Sequence, residues 1–593
     1  MDLRPIATEA TDDERALIDA SLGPLDDRVS LRSARARRHL LLPTLHAIQG
    51  RFGWISPSAL GYACQKLHVP PAEAYGVASF YALFALAERP PVVAHVCDDV
   101  ACLAAGAEDL CHALERSVGH HGAPSHDDPA TTWHRSPCLG MCEQAPAAML
   151  VSAGESPFER SFGHATEASV RAALRTRHVA IPERAPTPQT DRSAVRLLAR
   201  VGEVDPQSLD AYRAHGGYAA LRRAFEVGAA WVMRELDESG LSGRGGAAFP
   251  AGRKWMAVAK AAGRVKHVVC NADESEPGTF KDRALLEGDP FALVEAMTLA
   301  GVTVGAEKGW IYLRGEYPLA RERLANAIAQ ARSMGLLGDD VMGRGARFDI
   351  DLRIGAGAYI CGEETALLNS IEGYRGEPRT KPPFPVDEGL FGQPTLIHNV
   401  ETLLNVPVIV REGAAAYRAL GTKGSPGTRL FCVSACARRA CTSCPSASRS
   451  ARSSRPRAGS ARAARCRRSC SAAPRAPSSR PSTSTCRSPS KTRARAARRW
   501  ARAWCSCSTI RSPSAPCSRA SRASSARSRA ASARPVAWAP CASTSSSSAS
   551  RAPIDARSET QTSRCCESSP RACATRRSAA SDRPRRAPWS PPS

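Results

Sequence analysis

Cys97, Cys102, Cys138 and Cys142 form a C-x4-C pair and a C-x3-C pair separated by 35 residues. Two short cysteine loops facing one another can place four thiolates around a compact cluster, which is how iron–sulfur centres are held. Zinc is the rival, although its loops usually leave shorter, two-residue gaps. Small residues beside the thiols (Ala101, Ala104, Gly140) let backbone N–H groups approach sulfur. Cys64 and Cys111 fall in helical stretches and read as ordinary buried thiols.

A second chemistry-bearing region begins at GLSGRGGAAFPAGRKW, residues 240–255. Gly243, Gly245 and Gly246 permit close backbone approach to a phosphate or ring, with positive charge from Arg244 and Lys254. VKHVVCNADESEPGTF (265–280) reads as a β-branched strand entering an acidic loop, the place where α/β folds bind ligands. FDIDLRIGAGAYICGEETALLNSIEG reads as strand, glycine loop (Gly355, Gly357, Gly362) and a helix opening at Glu363-Glu364. Taken singly, Asp273, Glu274 and Glu276 would suit a solvated turn, and Cys361 a packed helix position.

The elements around these residues follow from periodicity. Residues 30–90 read as helical, with apolar spacing in HLLLPTLHAIQGRFGWIS and in VASFYALFALAERP, punctuated by Pro43 and Pro57. PVVAHVCDDVACLAAGAEDLCHALERS gives a strand, a cysteine loop and a helix, and RSPCLGMCEQAPAAMLV gives a second loop entering a strand. A Pro- and charge-rich stretch at 178–194 marks a linker. The chain thus divides into a variable segment 1–29, a first domain 30–175, a linker 176–198, a second domain 199–434 and a tail 435–593.

Charge separates the tail from the rest. Of 81 basic and 56 acidic residues, 34 and four lie after Ser434, so a mildly acidic body carries a strongly cationic end. Only Ile510, Val536 and Ile554 represent Leu, Ile, Val and Phe there, too few to bury a core, so the tail is expected to be disordered. Its Arg, Ser, Ala, Pro and 13 Cys also fit a GC-rich gene read out of frame. Regrouping codons from Ser434 permits a string with strand- and turn-forming residues; a serine codon ending in C or T before Cys444 then reads as leucine. A frameshift at or just after Ser434 is the expectation. The competing reading, a nucleic-acid-binding arm, lacks Phe and Tyr for base stacking, so no nucleic-acid partner is expected.

No run of 18 apolar residues exists, and acids occupy the start where a signal peptide needs a cationic and then an apolar region. A cytoplasmic protein without a membrane span is expected, at most peripheral on the inner membrane through a complex.

LLPTLHAIQGRFGWIS, YGVASFYALF, VCDDVACLAAGA and SPCLGMCEQAPAAML resemble the thioredoxin-like [2Fe–2S] subunit of respiratory complex I. The resemblance implies Cys97, Cys102, Cys138 and Cys142 as cluster ligands. Residues 200–434, including KPPFPVDEGLFGQPTLIHNVETLLNVP and GTKGSPGTRLFCVS, resemble the NADH-binding flavoprotein subunit of the same complex. The implied fold is α/β and multidomain: a helical segment with a thioredoxin-like domain, then a Rossmann-like FMN/NADH domain.

The resemblance further implies that FMN is lined by Arg244, Gly245, Gly246, Lys254, Asn271 and Asp273. Glu274, Ser275, Tyr359, Gly362, Glu363, Asn399 and Thr402 complete that lining. The nicotinamide nucleotide would meet Phe249, Lys254, Glu276, Glu364, Lys381 and Phe384, the two phenylalanines being available to stack adenine. His398 stands where the family usually has asparagine and is left out. The implied activity is hydride transfer from NADH to FMN and single-electron release to iron–sulfur centres, with no catalytic side chain. Implied partners are NADH and the iron–sulfur subunits of a complex I-like, hydrogenase or formate dehydrogenase assembly. The family's [4Fe–4S] cluster needs a C-x2-C-x2-C plus one cysteine, which the tail does not contain.

Overall fold

The computed structural model describes residues 9–23, 37–179, 195–263, 265–434, 440–445 and 505–506. All of them lie in the first of two compact units, Met1–Ser512.

Helices open the chain. α1 (Asp12–Leu22) starts at a capping box in which Thr11 and Glu14 satisfy each other's backbone N–H groups. α2 (Leu41–Phe52), α3 (Pro57–Leu67) and α4 (Pro71–Ala78) follow, the last two with proline in the first turn. α1 lies within the segment 1–29, and its Ile18 and Leu22 join the core of these helices. The helical reading of VASFYALFALAERP holds only to Ala78. Beyond it the chain becomes an arm whose Ala82 and Leu83 N–H groups donate to Gly357 and Ala356 carbonyls at 3.0 Å, outside any helix.

A four-stranded sheet comes next: β1 (Val92–Cys97), β2 (Thr131–Ser136), β3 (Ala148–Ser152) and β4 (Phe158–Phe162), in order β2-β1-β3-β4. α5 (Ala107–Ser117) and α6 (Glu167–Thr176) pack on it around Val96, Leu114, Trp133 and Leu150. β1 and β2 are parallel, with Cys97 opposite Ser136. Both therefore send their following loops out at one end of the sheet.

The second sheet is wholly parallel: β5 (His267–Ala272), β6 (Lys308–Leu313), β7 (Asp349–Ile354) and β8 (Thr395–Asn399), ordered β7-β6-β5-β8. The chain moves outward from β5 to β7 and returns to the other side of β5, so the switch in direction falls between β5 and β8. Alternate residues serve opposite faces. Val268, Cys270, Ile311, Leu313 and Leu396 face a core built with α7 (Ala251–Lys260), α8 (Lys281–Gly288), α9 (Pro290–Val304) and α10 (Pro318–Ser333). Val269, Trp310, Tyr312 and Ile397 face the core of α1–α4, joined by α11 (Glu364–Ile371). Parallel sheets need both faces covered. The amino-terminal helices supply the second layer for this sheet rather than for the sheet that follows them in sequence.

α12 (Val400–Glu412) leaves β8 and is nearly all buried. Short strands β9 (Gly421–Thr422) and β10 (Ser425–Pro426) lead to β11 (Thr428–Ser434), which pairs with β12 (Ala440–Pro445) and β13 (Cys505–Ser506). Both segments fall within the stretch whose composition reads as a disordered tail. An edge strand offers a row of unpaired N–H and C=O groups, and main-chain pairing asks little of side-chain type. The rest of the tail, most of 1–29 beyond α1, and linker residues 180–194 lie outside the described residues. No helix among the described residues is long and apolar enough to cross a membrane.

Candidate functional site

Cys97 ends β1 and Cys102 lies in the one-turn helix Val100–Leu103; Cys138 and Cys142 occupy the loop leaving β2. All four thiols are buried. Cys138 and Cys142 sulfurs are 3.5 Å apart, and the Cys97 thiol lies in hydrogen-bond reach of both Cys102 and Cys138. Hydrogen bonds from Cys142 and Cys97 hold the Cys138 thiol well below the usual thiol range. No three His, Cys, Asp or Glu side chains among the described residues are grouped for a single metal ion. A binuclear cluster takes its protein ligands two per iron, so paired thiols are what it requires. Two backbone N–H groups point at the sulfurs: Gly140 to Cys138 (3.4 Å) and Gly278 to Cys142 (3.0 Å). This donor set fits a [2Fe–2S] cluster. Cys64 and Cys111 stand apart, buried, with thiols pushed up to about 11 by burial.

The second site lies at the carboxyl ends of β5 and β8, where Asn271 pairs with Asn399 across the switch point. Asn271 donates to the Gly362 carbonyl at 2.9 Å, tying β5 to the second glycine loop. Asn399 caps α12, accepting from Glu401 N–H at 3.0 Å, and donates to Asp282 at 2.6 Å. The first glycine loop closes against them. The Gly243 N–H donates to the Phe249 carbonyl at 2.9 Å, and the Arg244 N–H to Thr402 Oγ1 at 2.8 Å. A Cβ on Gly245 would stand 3.0 Å from that of Asn399, and Gly246 has φ +119°. Only glycine brings this backbone so near the strand ends.

Charge in the cleft is organised as a ladder. Glu364 binds Lys254 Nζ through one carboxylate oxygen at 3.0 Å and Lys381 Nζ through the other at 2.9 Å; Glu363 also meets Lys381, at 2.8 Å. Burial opposes ionisation of both carboxylates, yet their lysines and, for Glu363, the N–H groups of Thr365 and Ala366 hold them below the usual range. Phe249, Tyr359 and Phe384 remain 52–55% exposed, with rings open to a planar ligand. Tyr359 donates to Glu276 at 2.7 Å. Ser275 donates to Asp273 at 2.9 Å, and burial pushes the Asp273 carboxyl up to about 7. Two lysines, open aromatic rings and glycine-lined strand ends suit a phosphorylated, planar cofactor.

Two expected residues sit differently from their sequence reading. The Arg244 guanidinium is buried against Tyr417 Oη and the Pro426 and Thr428 carbonyls, so the cationic charge in the cleft comes from Lys254 and Lys381. The Glu274 side chain accepts from the Asp282 and Arg283 N–H groups (2.8 and 3.0 Å) at the start of α8 and from Tyr317 Oη (3.0 Å). His398 is buried and accepts from Trp255 Nε1 at 3.0 Å; desolvation, reinforced by Lys254, holds it neutral.

The sequence reading missed the residues that join the two sites. Arg314, which follows β6, donates to the carbonyls of Glu274 and Cys138. Arg283 donates to the Gly140 carbonyl at 3.1 Å and pairs with Glu143. A Cβ on Gly140 (φ +72°) would overlap the Tyr317 ring at 2.3 Å. The available signal was RGEY directly after an apolar strand, a place where a buried cation needs a reason.

The thioredoxin-like [2Fe–2S] ferredoxin family matches residues 29–176, and the Nuo51 FMN-binding domain matches residues 236–408. An NADH-quinone oxidoreductase subunit of Rhizobium meliloti is 50% identical over 244 residues, 41% of this chain and 58% of the relative. The NADP-reducing hydrogenase subunit HndC of Solidesulfovibrio fructosivorans is 48% identical over 246 residues, 41% of this chain and 50% of the relative. The chain thus spans little more than half the length of these relatives. The NAD-reducing hydrogenase HoxS subunit alpha of Cupriavidus necator is 36% identical over 425 residues, 69% of this chain and 68% of the relative. Among solved structures, an NAD+-reducing [NiFe]-hydrogenase in the H2-reduced state superimposes with a TM-score of 0.58 at 32% identity, covering 68% of this chain and 67% of that one.

Proposed function

Because the chain belongs to the family of NAD-linked flavoprotein subunits in which a thioredoxin-like [2Fe–2S] domain precedes a Nuo51 FMN-binding domain, we propose that it is an electron-input subunit, an NADH:acceptor oxidoreductase. The observation that carries this reading is the union of the two sites. A paired-thiol pocket and a switch-point cleft share a wall, and an N–H from the cleft loop reaches a pocket sulfur.

Bound FMN would supply hydride acceptance from NADH and single-electron delivery to iron–sulfur centres. The chain's own residues bind and orient. Gly245, Gly246 and Gly362 allow close approach at the ends of β5 and β8, while Asn271, Asp273, Ser275, Asn399 and Thr402 fix the loops that line it. Phe249 and Phe384 offer ring faces to adenine, and Lys254 and Lys381 offer cations to phosphate. Glu276, held by Tyr359, sets a carboxylate where a ribose 2′-phosphate would be repelled, which favours NADH over NADPH. Cys97, Cys102, Cys138 and Cys142 would hold the cluster.

The match to the Cupriavidus necator hydrogenase subunit covers 69% of the chain, against 41% for the Rhizobium meliloti NADH-quinone oxidoreductase relative. That breadth favours a fused diaphorase of a hydrogenase or formate dehydrogenase type over a complex I setting, with iron–sulfur subunits of that assembly as partners. A cytoplasmic location, peripheral to the membrane through the complex, goes with this reading. The family's [4Fe–4S] ligands would lie beyond Ser434 in the restored reading frame; re-reading the DNA across the codons for Gly427 to Pro445 tests that point. For the function itself, the purified chain should be yellow-brown and reduce ferricyanide with NADH. A colourless, iron-free protein inactive with NADH after FMN and iron loading would refute the reading.

A further inference from the structure

The cluster pocket is completed by the other half of the chain. Gly278, in the loop after β5, donates its N–H to Cys142 Sγ at 3.0 Å. Arg314 is 2% exposed; one of its nitrogens meets the Cys138 carbonyl, another the Glu274 carbonyl, and Nε and Nη2 reach the Glu316 carboxylate at 3.1 and 2.9 Å. Arg283 holds the Gly140 carbonyl, and Tyr317 fills the space that a side chain at 140 would need. Every one of these groups from the flavin-binding half lies between 274 and 317, outside the stretch that carries the cysteines.

Reduction of a [2Fe–2S] cluster adds one negative charge inside a buried pocket. N–H groups directed at sulfur and fixed charges beside the loop decide how readily that charge is accepted. Arg314 and Glu316 form a buried ion pair of which the cation touches the cluster loop. Their individual effects on the cluster are opposite in sign, because a cation stabilises the added charge and an anion opposes it.

On the reading of the cysteines as cluster ligands, we infer that the flavin-binding half sets the cluster's reduction potential through the Gly278 N–H and the Arg314–Glu316 pair. Arg314 and Glu316 are positioning residues. The flavin site and the cluster are thereby poised against one another by residues that follow two adjacent parallel strands, β5 and β6.

Redox titration of the full-length chain, followed by electron paramagnetic resonance of the reduced cluster, tests this. Arg314→Gln is expected to disfavour reduction at least tenfold, about 59 mV for one electron. Glu316→Gln is expected to favour it, Arg314→Lys to stay near wild type, and the double variant Arg314→Gln/Glu316→Gln to fall between the single neutral variants. A purely structural role would move both single neutral variants the same way, and that result, or unchanged potentials in variants that keep their cluster, overturns the inference. If Arg314→Gln fails to fold, the signs for Glu316→Gln and the double variant decide. A wild-type chain that shows no [2Fe–2S] signal after iron loading overturns the ligand reading, and the inference with it.

Discussion

The hydroxyl of Tyr81, at the end of the amino-terminal helices, lies 2.6 Å from the hydroxyl of Ser370 on α11. Tyr312 of β6 shares the same serine at 2.9 Å, and the Cys361 thiol is within hydrogen-bond reach of all three. The arm after Tyr81 continues along the second glycine loop, where a Cβ on Gly357 would meet Leu83 at 3.1 Å. The first module therefore braces a wall of the cofactor cleft.

Leu83→Ala should loosen that brace. Loss of its methyl groups should cost about 2 kcal/mol, read as a lower denaturation midpoint, and FMN should dissociate faster than from wild type. Tyr81→Phe should cost about 1 kcal/mol with a smaller change in flavin release. Equal flavin release from all three proteins would argue against bracing.

Replacing Cys97, Cys102, Cys138 or Cys142 singly by alanine should abolish the cluster's absorbance and lower the iron bound per chain. Cys64→Ala and Cys111→Ala should leave iron unchanged, since both thiols sit in helices away from the pocket. Iron analysis of the six purified variants decides the point.

Phe249→Ala and Phe384→Ala should raise KM for NADH about tenfold, the value of roughly 1.4 kcal/mol of lost stacking, with kcat little changed. Both rings are 52% exposed, so thermal stability should hardly move. A large fall in kcat with constant KM would place the rings elsewhere in the reaction.

Burial pushes Asp273 up to about 7, with Glu316 adding and Arg314 opposing. A carboxyl whose pKa is raised on folding binds its proton more tightly in the folded chain. Its contribution therefore destabilises as pH rises from about 4 to about 7, by up to about 1.4 kcal/mol per pH unit. Urea midpoints of the cofactor-free chain should climb as pH falls from 7 towards 5, and Asp273→Asn should flatten that slope. Identical slopes in the two proteins would show that Asp273 ionises normally.

Much of this architecture was legible in residue order, but unevenly. Cysteine spacing sufficed for the pocket because both pairs sit in loops that leave adjacent parallel strands, so proximity in sequence becomes proximity in space. β5 and the glycine loop before α11 were legible for the same reason. β2, TTWHRS, carries neither alternation nor a long apolar run, and nothing local announces it. The arm after Ala78 has helical spacing, yet its N–H groups find carbonyls nearly three hundred residues away, a tertiary choice that periodicity does not encode. Arg244 and Glu274 belong to the loops beside the cleft, but their side chains turn to distant carbonyls and a helix start, which residue type alone does not foretell. Arg314 reaches the cysteine loop through the Cys138 carbonyl, 176 residues away in sequence, a contact that no local window contains.

The two-faced burial of the parallel sheet bears on how this protein could ever be divided. Val269, Trp310, Tyr312 and Ile397 would keep α11 but lose the cover of α1–α4 if residues 199–434 were produced alone, and part of an oily sheet face would meet water. A nick between Thr176 and Val195 should instead yield fragments that copurify and resist separation without denaturant. Whether the coding sequence is one gene or two would then matter little to the folded particle, since its cohesion resides in the shared core and not in the peptide that spans it.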